Sequence, residues 1–333
     1  MKNIISYLRI REWLDSKVTF MMGILLLFCF CINVEFDEAI VKTAAYFLYI
    51  SMFLAISYVV NDLSDIEIDK KAGKKKVIAN MPKWLVWLSL LVMAAIGNFG
   101  VIVCSKNIIL CIVLIILTYI LGLAYSSMGI RFKERGIWGL VECSFAQRCM
   151  PLLLIPVLFD FDSLLMLLLY GWIVLSFIDG IRYIIIHQVN DLENDVAAGV
   201  NTYVSRKRGN YRRIIIGLFV SEIIITFILF IPLWMRKTII AVTFILLNLG
   251  LEYCIYVVIQ KYAKKDIFLT YDSVPMEAFY NILFPILMGI CMMSIDIRWA
   301  VALLIIVMIC IKSFVVKCKI AVVYINSRLG KKR

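Results

Sequence analysis

Apolar residues fall into ten long runs along the chain, at roughly 18–34, 40–60, 84–104, 108–125, 138–158, 163–186, 213–233, 238–259, 278–294 and 299–318. A helix needs about 20 apolar residues to cross the hydrocarbon core of a bilayer, so each run predicts one spanning helix. The run at 278–294 is short and Pro285 interrupts it, which leaves nine or ten spans. The segments between runs are short and polar, with no Gly/Ser-rich linker, Pro-rich tract or low-complexity stretch. The pattern predicts an all-α fold: a polytopic membrane helical bundle, one domain over residues 1–333 with its core at about 10–320.

Composition agrees. Of 333 residues, 63% are hydrophobic and 17% charged, against about 45–50% and 25% in soluble domains. That balance excludes disorder, a disulfide scaffold and a pair of soluble domains. The ten cysteines are scattered through apolar runs with no C-x-x-C pair, which reads as small buried hydrophobes. Residues 1–17 lack both an apolar core and a small-residue cleavage site, so they read as a cytosolic lead-in and not as a removed signal peptide.

The net charge of +12 would suggest nucleic acid in a soluble chain. Here most Lys and Arg sit in the N-terminus, the C-terminal tail and the loops near 61–83, 126–137, 187–212 and 260–277. The intervening loops hold only Lys106, Arg236, Lys237 and Arg298. The charge is therefore an orientation signal, with no nucleic-acid partner. The positive-inside rule places both termini and the long loops in the cytoplasm, an arrangement that fits ten spans. The expected location is the cell (plasma) membrane, with the lipid bilayer as partner.

Two of these loops open on carboxylates. The first reads Asn61-Asp62-Leu63-Ser64-Asp65-Ile66-Glu67-Ile68-Asp69, and the second His187-Gln188-Val189-Asn190-Asp191-Leu192-Glu193-Asn194-Asp195. Asn61, Asp65 and Asp69 are spaced i, i+4, i+8, as are His187, Asp191 and Asp195, which predicts one helix face for each set. Asp65-x3-Asp69-x2-Ala72-Gly73 matches Asp191-x3-Asp195-x2-Ala198-Gly199 at an offset of 126 residues, the mark of a duplicated helix unit. Clustered carboxylates repel unless a cation joins them. Mg2+ prefers such oxygens and completes its shell with phosphate and water. Two ladders of this kind suit Mg2+ held against a diphosphate, whereas a single one would read as a solvated helix end. A third loop, Tyr125-Ser126 through Arg131-Phe132-Lys133-Glu134-Arg135, supplies cations that can meet phosphate oxygens or simply mark orientation.

In these residues the sequence resembles the UbiA superfamily of intramembrane prenyltransferases, which includes 4-hydroxybenzoate and menaquinone polyprenyltransferases. Asn61-Asp62-x2-Asp65-x3-Asp69 matches its first motif. Asp191-x3-Asp195 with Gly199 and Thr202 matches its second, and Tyr125-Ser126 followed by Arg131-x-Lys133 resembles its basic loop. Where that family often carries Arg-Pro after the first motif, this chain has Lys74-Lys75-Lys76 and, later, Met81-Pro82.

The resemblance implies Mg2+-dependent transfer of a prenyl group from a polyprenyl diphosphate to a small, aromatic or similar acceptor. It implies Asn61, Asp62, Asp65, Asp69, Asp191 and Asp195 as metal ligands, with Asp65 and Asp191 central to catalysis. Arg131, Lys133, Tyr125, Arg182 and His187 are the expected substrate-binding residues. Inside the spans, Asp179 and Arg182 read either as a neutralising i, i+3 pair or as part of an acceptor pocket. His187 reads equally as a proton acceptor, a partner of Asp191 or a helix-end residue. Two rival functions share these features: phosphoribosyl transfer to a polyprenyl phosphate, and cation-coupled transport. Midplane charges and interrupted helices would favour the latter, and the ladders here lie at span ends.

Overall fold

The structure, a computed structural model, describes residues 2–71, 76–127, 129–197, 199–206, 209, 211–229 and 279–329. Its principal helices are α1 (Thr19–Ile32), α2 (Phe36–Ser64), α3 (Ile66–Lys71), α4 (Lys83–Cys104), α5 (Ile108–Ala124), α6 (Ile137–Ser144), α7 (Ser163–Asn190), α8 (Leu192–Ala197), α9 (Phe284–Met293) and α10 (Ala300–Leu329). Residues 211–229 are also helical. Among the described residues, six helical stretches are long and apolar enough to cross a membrane: Leu14–Ile32, Phe36–Ser64, Lys83–Cys104, Ile137–Leu158, Ser163–Asn190 and Ile297–Val315. Two shorter apolar helices, Ile108–Ala124 and Phe279–Met293, match further runs. The eighth run, 238–259, lies outside the described residues.

The chain divides into two compact units. One comprises Met1–Leu14 and Glu35–Gly209, the other Asp15–Val34 and Asn210–Arg333. In the first unit α4 lies along α2, and the helices close in where glycine removes a side chain. A Cβ on Gly97 would stand 2.7 Å from the Met52 side chain. The opposite face of α4 leaves Trp84, Leu91, Phe99 and Val103 exposed, an apolar surface suited to lipid. Helix starts are defined chemically: Asn107 accepts from the Leu110 N–H at 3.0 Å and Asp162 from the Leu165 N–H at 2.8 Å, each capping an otherwise orphaned donor.

The 138–158 run is not one regular helix. α6 passes into a π turn at Phe145–Cys149, a 3-10 segment at Met150–Leu154 and a last α turn at Ile155–Leu158. Pro151 and Pro156 fall at the starts of the last two segments, where a missing N–H is tolerated. In the second unit the Phe284 ring meets Gly23 of α1, where an added Cβ would lie 2.7 Å away. Pro285 does not interrupt its run but sits in the first turn of α9, a position that suits proline. Cys29, Cys111, Cys143, Cys149 and Cys310 are buried.

Candidate active site

The first acidic motif lies where α2 gives way to α3. Asp65 leaves helical geometry at φ −106°, ψ 7°, yet its N–H reaches the Asn61 carbonyl at 3.1 Å and the Asp69 N–H returns to its own carbonyl at 2.8 Å. The second motif repeats the device. Asp191 caps α7 at φ −95°, ψ 3°, and the Asp195 N–H reaches its carbonyl at 2.8 Å. The expected unbroken helix face is therefore corrected: the i, i+4 bonds survive, but each helix breaks at the central Asp. Asp favours caps and turns over helix interiors because its side chain competes for backbone groups. A carboxylate so placed meets the negative end of a helix dipole and calls for cations.

For Asp65 those cations come from the 131–135 turn. Lys133 Nζ lies 2.5 Å from Asp65 Oδ1, and Arg131 donates to the same oxygen at 3.3 Å while also pairing with Glu134. Lys133 approaches Asn61 Oδ1 at 3.5 Å, and the Ser126 hydroxyl donates to that oxygen at 2.6 Å. Burial lowers the pKa of the Lys133 ammonium, with Asp65 opposing the shift. The turn is locked locally. The Lys133 N–H bonds the Tyr125 carbonyl at 3.2 Å, and Gly139 of α6 lies so close that a Cβ there would stand 2.4 Å from the Phe132 carbonyl oxygen.

Asp62, itself buried, takes a second pair of cations: Lys76 at 2.9 Å and Arg9 at 2.9 Å. Lys76 also stands 3.9 Å from Asp69. Arg9, held at φ 50°, stacks over the Tyr58 ring. With Arg11, Glu12, Asp62 and Lys76 it lines a pocket of about 370 Å3. Lys74 and Lys75 lie outside the described residues.

The second motif is more open. His187 Nδ1 stands 3.2 Å from Asp191 Oδ2, with side chains 55% and 41% exposed; of the three readings of His187, this contact matches that of an Asp191 partner. The Thr202 hydroxyl reaches Asp195 at 3.3 Å, and Gln188 Oε1 accepts from the Val204 N–H at 3.2 Å. Arg182 is fully buried and donates to Asp179 at 2.9 Å, while Arg148 takes the other Asp179 oxygen at 2.8 Å. The expected Asp179–Arg182 pair is thus a triad with a second arginine. Among the described residues no three His, Cys, Asp or Glu side chains gather closely enough to hold a metal ion. Asp62, Asp65 and Asp69 of the first motif are paired instead with protein cations.

Residues 20–283 match the model of the UbiA prenyltransferase family. The chain belongs to that family. UbiA homologues also share its fold. One from Archaeoglobus fulgidus bound to DMAPP and Mg2+ is 16% identical, with a TM-score of 0.58 over 86% of this chain and 98% of that one. The same homologue bound to GPP and Mg2+ superposes with a TM-score of 0.56 over 87% of this chain and 99% of that one, also at 16% identity. The apo UbiA homologue from Aeropyrum pernix K1 is 13% identical, with a TM-score of 0.55 over 83% and 97%. No curated protein matches the chain.

Both acidic motifs and the basic turn of this UbiA family member fall within its first compact unit. Two participants escape sequence reasoning: Arg9 and Glu12 sit in an N-terminus that reads only as an orientation signal. Their signal was faint: a basic and an acidic residue just before the first apolar run.

Proposed function

We propose that this chain transfers a prenyl group from a polyprenyl diphosphate to a small, aromatic or similar acceptor, within the membrane and with Mg2+. The observation that best supports the reading is the fold of the 131–135 turn onto Asp65. It concentrates an ammonium and a guanidinium beside carboxylates at a helix break, in a member of a prenyltransferase family.

The donor chemistry fits Mg2+. Asp62, Asp65, Asp69, Asp191 and Asp195 are hard carboxylate donors and Asn61 adds an amide oxygen. These six residues would hold the ion, and Asp191, at 41% exposed, is open to it. An ion held there would supply charge neutralisation to the diphosphate as leaving group.

The chain's own residues carry the rest. Lys133 and Arg131 offer charge to the phosphate oxygens, Lys as a point charge and Arg through its planar fork. Ser126 fixes the amide of Asn61. Asp65 holds Lys133 in place, and Asp191, supported by His187, stands on the more exposed motif. The apolar exterior of α4 allows a prenyl chain to remain in lipid while its charged head is bound. The positive-inside pattern supports reading this chemistry at a cytoplasmic membrane face.

The test is mass spectrometry of products formed by the purified protein with Mg2+, mixed prenyl diphosphates and candidate acceptors. Phosphoribosyl diphosphate serves as the competing donor. The reading falls if Asp65→Ala and Asp191→Ala proteins consume prenyl diphosphate at the wild-type rate, or if only the phosphoribosyl donor is used.

A further inference from the structure

We propose that Glu142 binds the prenyl acceptor through the acceptor's hydroxyl group and takes the proton that the acceptor loses. The inference rests on the prenyl-transfer reading above and assigns a residue that neither acidic motif contains.

Glu142 stands in the second turn of α6, just past the turn that carries Lys133. It is 8% exposed, and neither of its carboxyl oxygens has a hydrogen-bond partner. Its buried neighbours in the same unit are treated differently. Asp62 has Lys76 and Arg9, and Asp179 has Arg148 and Arg182. Buried polar groups are normally satisfied, and an unsatisfied carboxyl inside an apolar bundle costs stability. Such a cost is retained where a ligand completes the site.

Two further observations place that ligand near the diphosphate end. The turn whose Lys133 holds Asp65 packs on the same helix one turn before Glu142, where a Cβ on Gly139 would stand 3.1 Å from the Lys133 Cα. Immediately beyond α6 the helix widens into the π turn Phe145–Cys149, a departure often found at functional sites.

The chemistry selects the acceptor's class. A carboxyl with both oxygens unpartnered can accept from a hydrogen-bond donor, such as a phenolic hydroxyl, and supplies no positive charge to a carboxylate brought against it. In the transfer, the acceptor forms a bond to the allylic carbon, and the allylic C–O bond breaks with its electron pair leaving on the diphosphate. The one proton lost by the acceptor passes to the Glu142 carboxylate.

The experiment uses the full chain in lipid nanodiscs with geranyl diphosphate and Mg2+, and hydroquinone and 4-hydroxybenzoate as probe acceptors. Wild type should transfer to hydroquinone more readily than to 4-hydroxybenzoate. Glu142→Gln should bind geranyl diphosphate within twofold of wild type and lose about 10²-fold or more in transfer. Glu142→Asp should recover part of that loss. Glu142→Gln and Glu142→Leu should unfold at higher temperature than wild type, because a group kept for function is a burden on stability; a carboxyl kept for structure would shift the melting temperature downward. Transfer by Glu142→Gln within threefold of wild type, or lower melting temperatures in both variants, overturns the inference. Geranyl diphosphate binding without transfer to either probe overturns it too. Failure of wild type to bind geranyl diphosphate at all overturns the prenyl-transfer reading instead.

Discussion

The two acidic motifs have nearly the same backbone and unlike surroundings. Asp65 and Asp191 cap their helices at φ −106° and −95°, and each passes its carbonyl to an Asp four residues on. Yet Asp65 is pinned by Lys133 and Arg131, Asp62 by Lys76 and Arg9, whereas Asp191 has an exposed histidine beside it. A carboxylate at the negative end of a helix dipole wants positive charge. Among the described residues, Asp62 and Asp65 draw that charge from lysines and arginines, and Asp191 faces an imidazole instead. A duplicated element can thus keep its geometry while its halves divide the electrostatic work.

The sharpest way to break that division is to neutralise each cap in turn. Asp65→Asn and Asp191→Asn should each lower the transfer rate by about 10²–10³-fold, the scale of losing one group that stabilises developing charge. Their effects on stability should part company. Asp65→Asn leaves the part-buried Lys133 without its anion, while Arg131 keeps Glu134, and should cost about 1–3 kcal/mol. Asp191→Asn touches an exposed pair and should stay within about 0.5 kcal/mol. Thermal unfolding in detergent beside a product assay separates the two, and equal destabilisation would remove the distinction drawn above. Chelation of Mg2+ should abolish transfer in wild type while leaving the first motif's ion pairs, and hence the melting temperature of the metal-free protein, unaffected by Asp191→Asn.

Lys133→Met tests the same idea from the cation's side. The thioether approximates the stem's volume but cannot pair with Asp65, so the expected loss is about tenfold to 10²-fold in transfer, mainly as weaker binding of the diphosphate. Gly139→Ala reaches the lysine indirectly. The new Cβ would meet the Phe132 carbonyl oxygen at 2.4 Å and the Lys133 Cα at 3.1 Å, and backbone does not yield as a flexible side chain does. The turn must move off α6, at about 1–3 kcal/mol in stability, with Asp65 losing part of its hold on Lys133. Beside the second motif, Gly199→Ala meets no atom within 4 Å but faces φ 70°, so its penalty is conformational alone.

Much of this was legible in the sequence. Nine of the ten apolar runs coincide with described helix, and both motifs and the basic loop stand at helix ends as their spacing suggested. What escaped was fixed by local backbone chemistry or by distant partners. Pro285 reads as an interruption until its place in the first turn of a helix is known. The break at Asp65 is hidden because i, i+4 spacing survives a corner when the hydrogen bonds persist. The pairs Arg9–Asp62 and Arg148–Asp179 span 53 and 31 residues of sequence and depend on helix packing that periodicity does not encode.

The smallest expected effect belongs to His187→Ala. Its imidazole faces Asp191 across 3.2 Å, but both side chains are substantially in solvent, where an ion pair contributes about 0–1 kcal/mol. If the second motif takes its charge from outside the chain, removing the imidazole should change stability by no more than that and transfer by about threefold or less. Steady-state rates across Mg2+ concentrations give the decisive reading. A modest rise in the Mg2+ requirement at unchanged maximal rate means His187 only steadies the carboxylate. A collapse of the maximal rate at saturating Mg2+ would make the histidine the second motif's counterpart to Lys133, and the two halves of the duplication would then be alike after all.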